Sequence, residues 1–357
     1  MRKDCPSAAR GAVTNPQCRY DRLRTEPVDD GWPGTARKAQ RSGLTRVIPS
    51  PAKSIISAND SPDIPFGQSI NPYRGCEHGC AYCFARPSHA WLGLSPGLDF
   101  ETKIAVKSNA PALLERELRR PGYRVRPLAA GSNTDPYQPA EAHCRIMRAC
   151  LEVMADFRQP VAITTKSALV TRDIDLLAPM AAQGLATVHL SITTLDPVLA
   201  KKLEPRAPPP AKRLAAIRAL ALAGIPVGVM VAPVIPVLTE PELEHIMAAA
   251  REAGAQTAHY ALLRLPREVQ DIFTAWLQTH APDSAGHVLS RIRAMRDGAL
   301  DDPAFGRRFT GEGPEAQILA QRAALACRRL GFSQTMAPLD TSLFALPPRR
   351  GEQLSLF

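Results

Sequence analysis

Three cysteines fall close together in the segment Asn71-Pro72-Tyr73-Arg74-Gly75-Cys76-Glu77-His78-Gly79-Cys80-Ala81-Tyr82-Cys83-Phe84. Their spacing is C-x3-C-x2-C, with an aromatic residue before the last cysteine. Three thiolates can hold three irons of a 4Fe–4S cubane. The fourth iron then keeps an open position for an outside ligand. Gly75 and Gly79 let such a loop wrap a bulky cluster without Cβ clashes. Zinc is a rival, with His78 as a fourth ligand. Adjacent residues of one tight loop rarely reach a single tetrahedral ion together, however, and no second C-x2-C pair follows. An electron-transfer cluster is the other rival and would take a fourth cysteine at regular spacing. The remaining cysteines, at 5, 18, 144, 150 and 327, are scattered. The spacing favours a cluster with an open iron over both.

A loop of this kind needs a scaffold that brings other polar groups to it. From about residue 66, short apolar runs alternate with amphipathic helical patterns. Strands are expected at 125–130, 161–164, 187–192, 227–231 and 257–262. Helices are expected at 112–120, 140–156, 174–183, 211–223 and 240–253, two of them stopping at Gly184 and Gly254. Repeated strand–helix units imply a parallel sheet with right-handed crossovers. About six units are too few for a closed eight-fold barrel, so the expected fold is α/β, a partial (β/α)6 barrel open on one side. Active sites of such folds lie at the carboxyl ends of the strands. There the sequence places Ser132, Asp135, Tyr137 and Glu141 after one strand, Lys166 after the next, and Ser191 and Arg206 around the one after that. A Lys or Arg in that position can pair with a carboxylate, although a lysine opening a loop is also at home in solvent. His259 and Tyr260 either point inward or pack in the barrel.

The cysteine loop resembles that of the radical S-adenosylmethionine (SAM) superfamily, and the stretch 66–265 is most similar to its spore photoproduct lyase-like branch. The segments that carry this are Ile163-Thr-Thr-Lys166, Val188-His-Leu-Ser191-Ile192, Leu203-Glu-Pro-Arg206 with Lys212-Arg213-Leu214, and Gly228-Val-Met-Val-Ala232-Pro233. The resemblance implies a 4Fe–4S cluster on Cys76, Cys80 and Cys83, with SAM on the open iron. An electron from a reducing donor would cleave SAM to a 5′-deoxyadenosyl radical that abstracts hydrogen from substrate. It also implies SAM contacts: Lys166 and Arg206 at the carboxylate, Tyr82 at the adenine, Ser191 near the ribose and the Ser132 turn at the amino group. Asp135, Tyr137 and Glu141 are the candidate catalytic contacts. The position of the branch's hydrogen-donating cysteine corresponds here to Ser132, or at the loosest alignment Asn133; neither is a practical hydrogen-atom donor, an O–H bond being far stronger than S–H, so thymine-dimer reversal is not expected.

The chain has 357 residues, 45% of them hydrophobic, and a formal charge of +10. That charge fits a polyanionic partner such as nucleic acid. The start has basic residues but no apolar h-region, so no signal peptide is legible. Scattered thiols point to a reducing cytoplasm. The uncharged run 219–238 is interrupted by Gly224, Pro226, Gly228, Pro233 and Pro236, unlike a membrane span. Four regions are expected: a basic, largely disordered arm over 1–62, the barrel core over 63–265, a helical extension over 266–335 and a Pro-rich tail over 336–357. Arg116, Arg119, Arg120, Arg124 and Arg126 are a candidate phosphate-binding rim. The tail ends Gln353-Leu354-Ser355-Leu356-Phe357. It resembles the motif by which bacterial replication and repair proteins dock on the DNA sliding clamp, with Gln353 capping, Leu354 at the entrance and Leu356 and Phe357 in an apolar pocket. The functional expectation is a radical SAM enzyme of DNA or RNA repair or modification. Its rivals are a radical SAM modifier of a peptide or small molecule, and an iron–sulfur redox or sensing protein.

Overall fold

Runs of β-branched and aliphatic residues build the sheet. In the computed structural model, which describes residues 10–21 and 44–348, the strands are β1 (Arg46–Pro49), β2 (Ile56–Ala58), β3 (Gln68–Ile70), β4 (Tyr73–Arg74), β5 (Lys103–Val106), β6 (Leu128–Ala130), β7 (Val161–Thr165), β8 (Ala186–Ser191), β9 (Val227–Val234) and β10 (Thr257–Leu262). The helices are α1 (Leu98–Thr102), α2 (Ala110–Leu118), α3 (Glu141–Cys144), α4 (Ile146–Asp156), α5 (Ile174–Ala182), α6 (Pro197–Leu203), α7 (Pro210–Leu222), α8 (Leu243–Glu252), α9 (Val269–His280), α10 (Pro282–Ala294) and α11 (Gly313–Arg329).

The main sheet has seven strands in the order β10-β9-β8-β7-β6-β3-β2. Pairing is parallel from β3 through β10, and only β2 runs antiparallel at the edge. This is the open, partial barrel expected from the strand–helix repeat. Alternation decides which side chains face the helices. Val161 and Ile163, Val188 and Leu190, and Val227, Val229 and Val231 all enter one core with Met147, Leu151 and Met154 of α4 and Ile217 and Leu220 of α7. Each such side chain, fully buried, contributes about 1.5–3 kcal/mol.

The helix expected over 140–156 is two helices. Arg145 takes φ 53 and breaks it. Glu141 then turns back and accepts from Met147 N at 3.0 Å and Arg148 N at 3.2 Å. A carboxylate on those free N–H groups satisfies donors that would otherwise lack partners and suits the positive end of α4.

Parts of the expected N-terminal arm are packed. Gly11 approaches the cysteine loop so closely that a Cβ there would lie 1.7 Å from Gly79 O. Residues 46–49 pair with β5 in a second sheet, β1-β5-β4. Local pattern did not reveal it, because all four residues of β1 are exposed.

The C-terminal helices cover the cysteine loop. Phe273 and Trp276 stack at 5.7 Å and bury Ala81 and Tyr82 against Leu203. At the opposite end of the sheet, residues 336–348 form a strap. Asp340 N donates to Gly184 O at 2.9 Å, Ala345 N to Phe157 O at 3.1 Å, and Arg119 to Pro347 O at 2.9 Å. No helix among the described residues is long and apolar enough to cross a membrane.

Candidate active site at the cysteine loop

The loop from Gly75 to Cys83 is shaped by turns and held from three sides. Gly79 has φ 68, and a Cβ there would meet the Glu101 carboxylate at 2.6 Å. Only glycine accepts both conditions. Cys83 N donates to Cys80 O at 3.2 Å, which brings the second and third thiols into one turn. Cys76, Cys80 and Cys83 are free of disulfides.

From one side, Arg86 is fully buried and donates to Cys80 O from Nε at 3.0 Å and from an η nitrogen at 2.7 Å. It is paired with buried Glu101 at 2.5 Å. Glu101 also accepts from Gly11 N at 3.0 Å and Ala12 N at 2.8 Å, which is why residues 10–12 are ordered against the loop. From a second side, Gln138 donates to Gly75 O at 3.1 Å and accepts from Glu77 N at 2.9 Å. From the third side, Tyr82 donates its hydroxyl to Glu204, which pairs with Arg213. Arg213 continues to Ser191 O at 3.0 Å.

The charged neighbours of the thiols are defined by this packing. Burial pushes Cys76 well above its ordinary value, with Asp135 adding to the effect. Burial and then Glu204 push Cys80 up to about 12, while Lys166 works in the other direction. Burial also raises Cys83, against Arg86. A metal ion bound by such thiols releases their protons.

The residues fit an iron–sulfur cluster. Among the described residues, no three His, Cys, Asp or Glu side chains converge as ligands of one ion would. A cubane instead takes each thiolate on a different iron. Beside the loop, His78 Nε2 and Arg206 Nε are buried without a hydrogen-bond partner, as polar atoms awaiting a ligand are.

The strand-end residues divide into two groups. Lys166 lies 5.9 Å over the Tyr82 ring, and Arg206 reaches Glu77 of the loop at 3.1 Å. Ser191, at the end of β8, is buried, with its carbonyl accepting from Arg213. Ser132 accepts from Asn71 at 3.0 Å, and its turn is compact because a Cβ on Gly131 would lie 2.1 Å from Thr164 O. These residues border the loop. Asp135 and Glu141 have their oxygens occupied by the framework. Asp135 accepts from Thr165 at 2.6 Å, Lys166 N at 2.8 Å and Tyr137 N at 2.9 Å, and sits 3.3 Å from His78. Burial would raise its pKa, but His78 together with the hydrogen bonds from Lys166 N and Thr165 outweighs that, and Asp135 falls to about 2. Glu141 is fully buried and, besides capping α4, binds Tyr73 and, at 2.8 Å, Arg172. Tyr137 is fully buried under Arg172.

The arginine run is not at this mouth. Arg119 sits on the Phe157 ring at 4.9 Å, and Arg124 and Arg126 precede β6, at the amino end of the sheet. His189 of β8 and His259 of β10 lie 6.3 Å apart. Tyr260 packs against the core. Gln353, Leu354, Leu356 and Phe357 lie outside the described residues. Sequence reasoning missed Arg86, Glu101, Gln138 and Glu204, none of which has a local signature.

Residues 70–250 match the Radical SAM superfamily. The chain is 36% identical over 339 residues to the uncharacterized protein Rv2578c of Mycobacterium tuberculosis, covering 90% of this chain and 94% of that one. It is 29% identical over 238 residues to the uncharacterized protein MJ0683 of Methanocaldococcus jannaschii, covering 67% and 85%. Its fold is similar to that of spore photoproduct lyase complexed with dinucleoside spore photoproduct, with a TM-score of 0.56 and 16% identity over 80% of this chain and 79% of the other.

Proposed function

Because the chain belongs to the radical SAM superfamily, we propose that it is the member that turns this chemistry on nucleic acid, for repair or modification. It is a radical SAM enzyme, with a 4Fe–4S cluster and SAM as cofactors. When bound, these supply a 5′-deoxyadenosyl radical that takes hydrogen from substrate.

In this reading Cys76, Cys80 and Cys83 hold the cluster. Lys166 and Arg206 set positive charge at the rim of the loop for the SAM carboxylate, and Arg206 is oriented by Glu77 at 3.1 Å. The Tyr82 ring gives the adenine an apolar wall whose position Glu204 holds. Ser191 borders the ribose. Asp135 has a positioning role, because it fixes the backbone at Lys166 and the ring of His78. Helices α9 and α10 exclude water from the far side of the loop.

The observation that carries the proposal is the grouping of three free cysteines, Cys76 and Cys80 buried and Cys83 partly so, with Lys166 and Arg206 at the carboxyl ends of parallel strands. The nucleic-acid substrate is supported by the +10 charge and by the likeness in fold to spore photoproduct lyase, which is known in complex with a dinucleoside. A further support is the clamp-like ending Gln353–Phe357. The strap carries the chain to Pro347 at the amino end of the sheet, away from the cysteine loop.

The test is anaerobic reconstitution, reduction with dithionite and addition of SAM, with and without oligonucleotide. Release of 5′-deoxyadenosine that rises with oligonucleotide, and transfer of deuterium from it, is the expected result. Release that no nucleic acid alters would remove the substrate assignment.

A further inference from the structure

A cavity of about 380 Å3 opens beside the barrel mouth, within the size range of small-ligand pockets, about 300–1,000 Å3. It lies between the β2–β3 hairpin and the start of the cysteine loop. Asn59 and Phe66 form one wall, Asn71 and Ser132 the end nearest the mouth, and Arg74 and Lys107 the other wall. No acidic side chain among the described residues lines it.

The walls are anchored. Asn59 holds its own loop by donating to Phe66 O at 2.8 Å. Asp63 of that loop is gripped by Arg308 at 2.7 Å and Gly306 N at 2.7 Å. Asn71 Oδ1 accepts from Asn133 N at 3.0 Å while its amide reaches Ser132, so the mouth end is equally well defined.

The two cations are adjacent because β4 and β5 pair with Arg74 opposite Ala105, and Lys107 N donates to Pro72 O at 3.0 Å. Among the described residues neither side chain has a hydrogen-bond or ion-pair partner. Arg74 is exposed and Lys107 partly buried; burial and then Arg74 oppose the Lys107 charge, with Cys150 and Glu117 acting more weakly the other way. Two like charges held together in a cavity without an acid are relieved by an anion.

We propose that this cavity is a phosphate subsite of the substrate site, in which Arg74 and Lys107 hold a phosphate group and the attached nucleoside extends toward Ser132. It rests on the nucleic-acid reading for its substrate but not for its chemistry, since a free nucleotide carries the same group.

The experiment measures binding of a labelled single-stranded oligonucleotide to reconstituted protein by anisotropy, and of inorganic pyrophosphate and thymidine monophosphate by direct calorimetric titration. Arg74→Gln and Lys107→Gln are each expected to weaken binding roughly tenfold. Each should also flatten the slope of log affinity against log salt by about 0.7. Lys107→Arg keeps the charge and should bind like the parent. Arg328→Gln, on the exposed face of α11, should change nothing. If the oligonucleotide binds parent and both Gln variants alike, the subsite is wrong and the nucleic-acid reading stands. If pyrophosphate or the mononucleotide binds through Arg74 and Lys107 but the oligonucleotide does not bind, the subsite stands and the nucleic-acid reading falls. If the parent binds none of the three probes, both fall.

Discussion

Replacing Glu204 by Gln tests how the cysteine loop is tied to the barrel. Glu204 and Arg213 are both about 1% exposed in their side chains. Glu204 also accepts from Tyr82 and, at 2.7 Å, from Thr193. Glutamine keeps the size and one acceptor oxygen but leaves the Arg213 charge buried without a counterion. Breaking a buried pair from one side costs about 3–5 kcal/mol. At about 2.1 cal/mol/K of unfolding entropy per residue, that lowers Tm by roughly 4–7 °C for a chain this long. Burial acts to raise the Glu204 pKa, yet Arg213 and Lys166 outweigh it and hold it at about 2, below the ordinary 4.5. A depressed folded value means stability that is present above pH 4.5 and lost as pH falls toward 2. The parent should therefore lose stability across that window, and Glu204→Gln should lose less there. The assay is calorimetry of reconstituted protein at neutral pH and through the acid range, with Glu204→Gln/Arg213→Met as the paired control. The double variant should recover most of the loss, because no buried charge remains. A Glu204→Gln protein within about 1 kcal/mol of the parent, or a double variant no better than the single one, would refute the reasoning.

Four further outcomes are expected. Reconstituted parent should bind about four irons per chain; Cys76→Ala, Cys80→Ala and Cys83→Ala should lose them by iron assay, whereas Cys18→Ala and Cys327→Ala should keep them. Lys166→Ala and Arg206→Ala should each weaken SAM binding by about 1.5–3 kcal/mol, read by calorimetric titration of the holoprotein. Spore-type thymine-dimer reversal should be absent with Ser132 in place, checked by chromatography of a dimer-containing dinucleotide; efficient reversal contradicts the argument from O–H bond strength. The full chain should bind a purified sliding clamp with micromolar affinity, since burying Leu356 and Phe357 yields roughly 3–6 kcal/mol before ordering costs; a chain ending at Gly351 should not bind, and equal binding by both removes the clamp from the account.

The sequence alone specified the features that depend on neighbours along the chain. The C-x3-C-x2-C spacing singled out the candidate cluster loop, because three cysteines within eight residues leave little freedom in where they meet. Alternation and helical period located β7 through β10 and, of the helices between them, α5, α7 and α8 but not the short α6, because a parallel sheet covered on its outer face makes each strand a distinct apolar run. Gly184 and Gly254 marked helix ends for the same local reason. The tertiary structure decided whatever depends on residues far apart. Glu101 meets Gly11 and Arg86, and Gln138 meets Gly75, only once the loop and the β6 turn are folded together. No periodicity announces such pairs. Glu141 looked like a contact at the mouth, but it became a helix cap when Arg145 broke the helix in which period placed it. The arginine run 116–126 had the composition of a phosphate rim, yet chain direction put it at the amino end of the sheet. Net charge says how many cations a chain has, and the fold says which of them are left without partners. Among the described residues Arg74 and Lys107 are two such cations that line one cavity, and charge counting had no reason to single them out.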